Sequence, residues 1–270
     1  MNLILLILDL RAAIPEAYGP YHIFCLLITA ILTFVAARRG RYHSEKQIRK
    51  VLFMTAILVI SLEIYKQFNF TFGDGSSAPS YQWYAFPFQF CSTPMYIYLL
   101  AALTKKGKLH DSFCAYLATY SVFAGICVML YPNDVFCDTV GINIQTMVWH
   151  GSMVVIGGYL LGSGYVKLSN RTVLKAIPVF ACAVAIAAVM NEIAHAAGIS
   201  PFNMFFISPY EESTLPVYSL IHNAVPFPLN LMIYVLGFTV AAFLVLHICK
   251  CIRYVYTTPR HHRTFHLYRY

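Results

Sequence analysis

Cys91 and His150 are the two side chains whose types and positions best fit covalent acyl chemistry. Cys91 stands in FPFQFCSTPMY, residues 86–96, and His150 stands in QTMVWHG, two stretches that are otherwise largely apolar. A thiolate attacks an ester carbonyl and holds the acyl group as a thioester, while an imidazole acts first as base and then as acid. In membrane-spanning helices the two residues would lie at similar depths, roughly 9 Å and 6 Å from the outer boundary at the helical rise. The pair predicts a lipid acyltransferase or acyl hydrolase with Cys91 as nucleophile and His150 as base.

Further polar side chains fall at the outer third of the predicted membrane spans, so we infer one shared polar site that opens toward the outside. Gln89 and Asn230 are interpreted mainly as hydrogen bonds between helices, and Gln89 also as an oxyanion donor. Glu192 or His195, which share a helix face, is a candidate to orient His150 or to bind a headgroup. The residues predicted to support the reaction or to bind substrate are Glu63, Gln89, Asn191, Glu192, His195 and Asn230.

The composition predicts an all-α integral membrane protein. Of the 270 residues, 59% are hydrophobic and only 11% are charged, against about 25% charged in a soluble domain. Seven apolar runs have the ~20 residues that a helix needs to cross a bilayer. They are continuously apolar rather than alternating, which excludes a β-barrel. The predicted spans are 20–37, 48–68, 85–103, 111–130, 146–164, 172–195 and 226–248.

The Lys and Arg residues predict the orientation of these spans. Of the 19 basic residues, 17 fall in alternate loops or in the C-terminal tail. By the positive-inside rule the N-terminus lies outside and the C-terminus in the cytosol. The net charge of +8 is therefore a topology signal, and no nucleic-acid partner is expected. The membrane is the plasma membrane if the chain is bacterial, and the endoplasmic reticulum or Golgi if it is eukaryotic.

The chain divides into three parts by these criteria. Residues 1–19 are too short an apolar run to span and are predicted to form an interfacial helix, with a signal segment as the alternative. Residues 20–249 form the seven-helix transmembrane domain. Residues 250–270 form a basic cytoplasmic tail.

Several local features carry their own predictions. With span 3 starting near Phe86, Pro87 lies in the first helical turn and Pro94 kinks the helix. Trp149 is of the type that anchors a helix at the membrane interface. The Gly158 and Gly162 pair, GxxxG, predicts close helix packing.

Glu63 and Lys66 lie three residues apart on span 2. This spacing favours an ion pair between them over a catalytic role for either. They are also the only charge pair in the predicted bundle.

Two other classes of protein remain open from the residues alone. One is a transporter or receptor, since seven spans with an outer N-terminus are typical of receptors. The other is a metal-dependent hydrolase with a zinc site. Its candidate ligands are His22, His150, His195, His222 and Glu192. The Cys–His mechanism itself needs no cofactor, and its partner is a membrane phospholipid or another acyl-lipid.

Five motifs in order and spacing, between about residues 18 and 250, carry a resemblance to a known family. They are YGPYHIF, Glu63, FPFQFCS, QTMVWHG and NAVPFPLNL. Together they resemble the YwaF-type integral membrane proteins, which are similar to the animal transmembrane protein 164. The resemblance implies a cysteine-dependent lipid acyltransferase with Cys91 as the acylated nucleophile and His150 as its base.

Overall fold

The structure is a computed structural model that describes residues 10–73, 79–215, 217–222 and 224–257. These residues form α-helices, three short 3₁₀-helices and no β-strand, which confirms the all-helical prediction. The helices are α1 Pro20–Arg39, α2 Glu45–Phe72, α3 Thr93–Leu103, α4 Lys108–Ala118, α5 Tyr120–Leu130, α6 Val140–Gly162, α7 Asn170–Ala196, α8 Tyr218–His222 and α9 Phe227–Thr257.

Among the described residues, four helical segments are long and apolar enough to cross a membrane. They are Pro20–Tyr42, Lys108–Leu130, Asn170–Ala196 and Phe227–Tyr254. The helices α2 and α6 have 28 and 23 residues and are also long enough to cross a bilayer, but they are not among these four segments. Helix α3 has only 11 residues, or about 17 Å, and is shorter than the predicted span 85–103. The prediction of seven spans thus stays a prediction.

The predicted span 111–130 is one rod broken into α4 and α5. The break lies at Thr119, whose dihedral angles of φ −131° and ψ −77° are not helical. The Thr119 hydroxyl donates to the Ala115 carbonyl at 2.7 Å, a backbone contact that often bends a helix. This rod is the most buried of the four candidate spans. It packs against α3, α6, α7 and α9 and so forms the centre of the bundle.

Glycines on α6 allow α1 to approach closely. A Cβ atom at Gly158 would collide with Thr33, and one at Gly162 would collide with Ala37. Gly151, next to His150, faces Thr29 of α1 in the same way. The GxxxG prediction is confirmed, and α6 is held by a neighbouring helix along its length.

The segment before α1 differs from the interfacial helix predicted over residues 1–19. Residues 1–9 lie outside the described residues, and residues 10–19 form no helix. Arg11 instead pairs with Asp138 at 2.8 Å and donates to the Gly73 carbonyl at 2.9 Å. The guanidinium lowers the pKa of the Asp138 carboxyl by its hydrogen bond. These contacts place the N-terminal segment, the end of α2 and the start of α6 at one end of the bundle.

Three basic side chains lie at the opposite end of the bundle. Each finds an acidic or amide partner from a distant part of the chain. The pairs are Lys106 with Glu45 at 3.5 Å, Lys175 with Asp111 at 2.7 Å, and Lys250 with Asn170 at 2.7 Å.

Candidate functional site

Cys91 lies in a tight turn rather than inside a helix. Helix α3 begins at Thr93, and the amides of Ser92 and Thr93 both donate to the Gln89 carbonyl, at 2.8 and 3.1 Å. Pro94 occupies the first helical turn, where its missing N–H has no intrahelical partner to lose. The predicted helix start near Phe86 and the kink at Pro94 are therefore wrong. The half-buried thiol is presented by irregular backbone.

Trp149 connects this turn to the helix that carries His150. Its indole nitrogen donates to the Cys91 carbonyl at 2.8 Å, and the ring is 4% exposed. The prediction of an interfacial anchor is thus wrong, because the indole is buried and its N–H binds a backbone group 58 residues away. The contact joins the Cys91 turn to α6 one residue before His150.

The imidazole of His150 is buried, and one of its two nitrogens is hydrogen-bonded to backbone. Its Nδ1 lies 2.8 Å from the Thr146 carbonyl, and the side chain is 6% exposed. A carbonyl only accepts, so Nδ1 carries the proton and Nε2 holds the lone pair in the neutral ring. Nε2 is buried without a hydrogen-bond partner among the described residues. This is the protonation pattern that a general base requires.

A charge pair on α2 is linked to the segment that leads to Cys91. Lys66 Nζ is 2.8 Å from Glu63 Oε1, so the ion pair predicted from their spacing is confirmed. Gln67 Nε2 donates to Glu63 Oε1 at 2.7 Å and to the Ala85 carbonyl at 2.8 Å. These two hydrogen bonds connect the ion pair to Ala85, in the segment that leads to Cys91.

Gln89 and Asn191 hold the chain between α7 and α8. Gln89 donates to the Asn203 carbonyl at 2.9 Å and accepts from the Phe205 amide at 2.8 Å. Asn191 makes the same two-sided contact with Met204, at 3.1 and 2.7 Å. These bonds support Phe205 at a positive φ of 60°, a conformation that costs energy for a bulky residue. Both amides therefore hold backbone, and Gln89 does so between a turn and a loop rather than between two helices as predicted.

Replacing Asn191 with leucine is expected to destabilise the protein by about 2–4 kcal/mol, because two buried backbone groups lose their partner. The matched variant is Glu192→Gln at the neighbouring, exposed position, which is expected to change stability by less than about 0.5 kcal/mol. Thermal unfolding in detergent measures both. Equal unfolding temperatures for the two variants would contradict this role of Asn191.

Glu192 and His195 lie apart from the buried site. Both are exposed on α7. The Tyr210 hydroxyl donates to Glu192 Oε2 at 2.7 Å, and its ring stacks on His195 at 3.5 Å between centroids. The interpretation that one of them orients His150 is wrong, because the Thr146 carbonyl takes that position.

The zinc site considered from the sequence does not assemble. His22 uses both ring nitrogens on backbone, accepting from the Tyr18 amide at 2.8 Å and donating to the Met129 carbonyl at 2.7 Å. His222 binds the Ser208 carbonyl at 2.9 Å, and Asn230 donates to the His222 carbonyl at 2.8 Å. In the described part of the chain, no three His, Cys, Asp or Glu side chains group as metal ligands.

Two residues of this site escaped the sequence analysis. Thr146 orients His150 through its carbonyl, and Gln67 fixes Glu63. The only sequence signal for each is its position four residues from the residue it contacts, which puts the two on one helix face.

The fold and site define a helical membrane protein with a cysteine turn and a buried histidine. A family model, the TMEM164 family, matches residues 17–250. The chain therefore belongs to the TMEM164 family, which confirms the predicted resemblance to transmembrane protein 164; the YwaF-type label stays a prediction. No curated protein and no solved structure matches the chain.

Proposed function

We propose that this protein transfers acyl chains of membrane lipids through a thioester on Cys91, with His150 as the general base. The observation that carries the proposal is the buried Nε2 of His150, which has no hydrogen-bond partner in the part of the chain that the structure describes, while Nδ1 carries the ring proton. The Trp149 contact to the Cys91 carbonyl supports it by joining the two elements. Membership of a membrane-protein family and the apolar helices agree with a lipid substrate.

The proposed reaction has two steps, acylation of Cys91 and transfer of the acyl group from it. His150 Nε2 takes the proton from the Cys91 thiol, and the sulfur attacks the carbonyl carbon of a lipid ester. The carbon–oxygen ester bond breaks, and the departing alcohol oxygen receives the proton from His150. A second hydroxyl compound then attacks the thioester while His150 accepts the hydroxyl proton. The carbon–sulfur bond breaks, and His150 returns the proton to the Cys91 sulfur. An acceptor alcohol makes the protein a transferase, and water makes it a hydrolase.

We also propose that α2, α6 and α3 with its preceding turn complete a seven-span bundle whose N-terminus lies outside. Two sets of contacts support this. Arg11, Asp138 and Gly73 meet at one end, and the basic loops meet at the other, which is the cytosolic one by the positive-inside rule. Irregular backbone at membrane depth is tolerated where protein buries it or where it lines a cavity. The turn at Cys91 fits that requirement near the outer side.

The test is intact-protein mass spectrometry of the wild type after incubation with phospholipid vesicles. We expect a mass increase of one acyl chain that hydroxylamine removes and that maps to the peptide containing Cys91. A wild-type protein without the adduct, together with an unchanged lipid composition, would contradict the proposal. An adduct on another cysteine would contradict the assignment of Cys91.

A further inference from the structure

A groove between α2 and α3 runs beside the Cys91 turn. It has a volume of about 630 Å³, which lies within the range of small-molecule sites. Pro87 and Met95, four residues to either side of Cys91, both line it. At that point the Tyr96 hydroxyl donates to the Pro87 carbonyl at 2.8 Å. The groove therefore borders the segment that carries Cys91, although Cys91 itself is not one of its lining residues.

The apolar wall of the groove has the length of one lipid leaflet. Ile60, Ile64, Phe68 and Phe72 line it at intervals of four residues, so they form one row along α2. The row spans about 18 Å at the helical rise. One leaflet of hydrocarbon is about 15 Å thick, half the bilayer core. An extended acyl chain from that leaflet fits along the row.

A polar row lies beside the apolar one. Glu63, Gln67 and Thr71 also line the groove at four-residue intervals. Gln67 and Thr71 satisfy their donors on this chain's own atoms. Glu63 differs, because its Oε1 is paired while its Oε2 is buried with no partner among the described residues. The side chain is only 6% exposed. Because buried polar atoms nearly always have a hydrogen-bond partner, we expect a ligand to donate to this oxygen.

We propose that this groove binds one acyl chain of a membrane lipid and that Glu63 Oε2 accepts a hydrogen bond from a free hydroxyl group of the same lipid. The inference rests on the proposed function only in taking the bound lipid as a substrate presented to Cys91. It identifies the lipid by its chemistry, which is one chain together with one unesterified hydroxyl.

Two ligands with the same acyl chain test the hydroxyl contact to Glu63 separately from the binding of the chain in the groove. Monoolein carries free hydroxyls, and methyl oleate carries none. Binding is measured by native mass spectrometry on the Cys91→Ala protein, so that no acyl transfer intervenes. We expect monoolein to bind about tenfold more tightly than methyl oleate, because a hydrogen bond to a charged group contributes affinity of that order. In Glu63→Leu the two ligands are expected to bind equally.

A tryptophan tests the groove itself. Ile64 is 65% exposed, so Ile64→Trp fills the groove without disturbing the core, and both ligands are expected to lose about tenfold or more in affinity. The control is Ile31→Trp on α1, at a position 60% exposed and outside the groove. Equal binding by these two variants would overturn the groove, and equal affinity of both ligands for the protein with intact Glu63 would overturn the hydroxyl contact.

The acyl adduct on wild-type Cys91 is an independent readout. An adduct that forms equally well in Ile64→Trp overturns the groove and leaves the proposed function standing. A groove that binds monoolein in a protein that never forms the adduct overturns the proposed function instead.

Discussion

Cys91→Ala is expected to reduce the turnover of a phospholipid ester to the rate seen with vesicles lacking the protein. Alanine has no nucleophile, so the thioester cannot form and neither step of the transfer proceeds. The change removes one sulfur atom from a half-buried turn, and the backbone contacts that hold the turn do not involve that atom. The folded protein should therefore remain. Turnover is measured by mass spectrometry of the lipids after incubation with purified protein.

The matched controls are the same substitution at Cys127 and Cys182, two exposed cysteines on α5 and α7. Both variants are expected to keep wild-type turnover. If Cys91→Ala retains full turnover in vesicles, the mechanism through a cysteine thioester is wrong. If a control variant also loses activity while remaining folded, the assignment to Cys91 alone fails.

His150→Gln is expected to lower turnover by about 10²–10⁴-fold, the usual contribution of a positioned acid–base group. Glutamine resembles histidine in size and can still donate to the Thr146 carbonyl, but it provides no basic nitrogen in place of Nε2. Formation of the acyl adduct on Cys91 should slow by the same order, because the base is needed for the first step. Single-turnover measurement of adduct formation checks this.

His247 on α9 is a close internal control for this variant. Its Nδ1 also lies 2.8 Å from a carbonyl four residues earlier, that of Phe243, but its side chain is exposed. His247→Gln is expected to leave both turnover and adduct formation unchanged. Comparable losses in the two variants would show that glutamine at such a position acts through stability rather than catalysis.

The elements that depend on local pattern could be predicted from the sequence. The starts of α1 and α7 lie within two residues of the predicted spans, because long apolar runs bounded by charge leave few alternatives. The Glu63–Lys66 pair and the glycine packing of α6 follow from spacing along one helix. Such features need no knowledge of what lies across the bundle.

The candidate site could be predicted only in its residue types. Depth and chemistry point to Cys91 and His150, but the apolar run 85–103 predicts helix at Cys91, with Pro87 in the first turn in place of Pro94. Which proline starts the helix depends on contacts made across the bundle. Trp149, read as an interface residue, donates to the Cys91 carbonyl from 58 positions away.

The sequence by itself determined a helical membrane-type chain, its candidate nucleophile and base, and the division of its loops into basic and non-basic. The tertiary structure decided which polar residues serve that site. It assigns Gln89 and Asn191 to backbone contacts and leaves Glu192 and His195 on the surface. Within the described ranges, it leaves Nε2 of His150 without a partner. The reason is that burial and hydrogen-bond partners depend on residues far apart in the chain, whereas periodicity and charge are local.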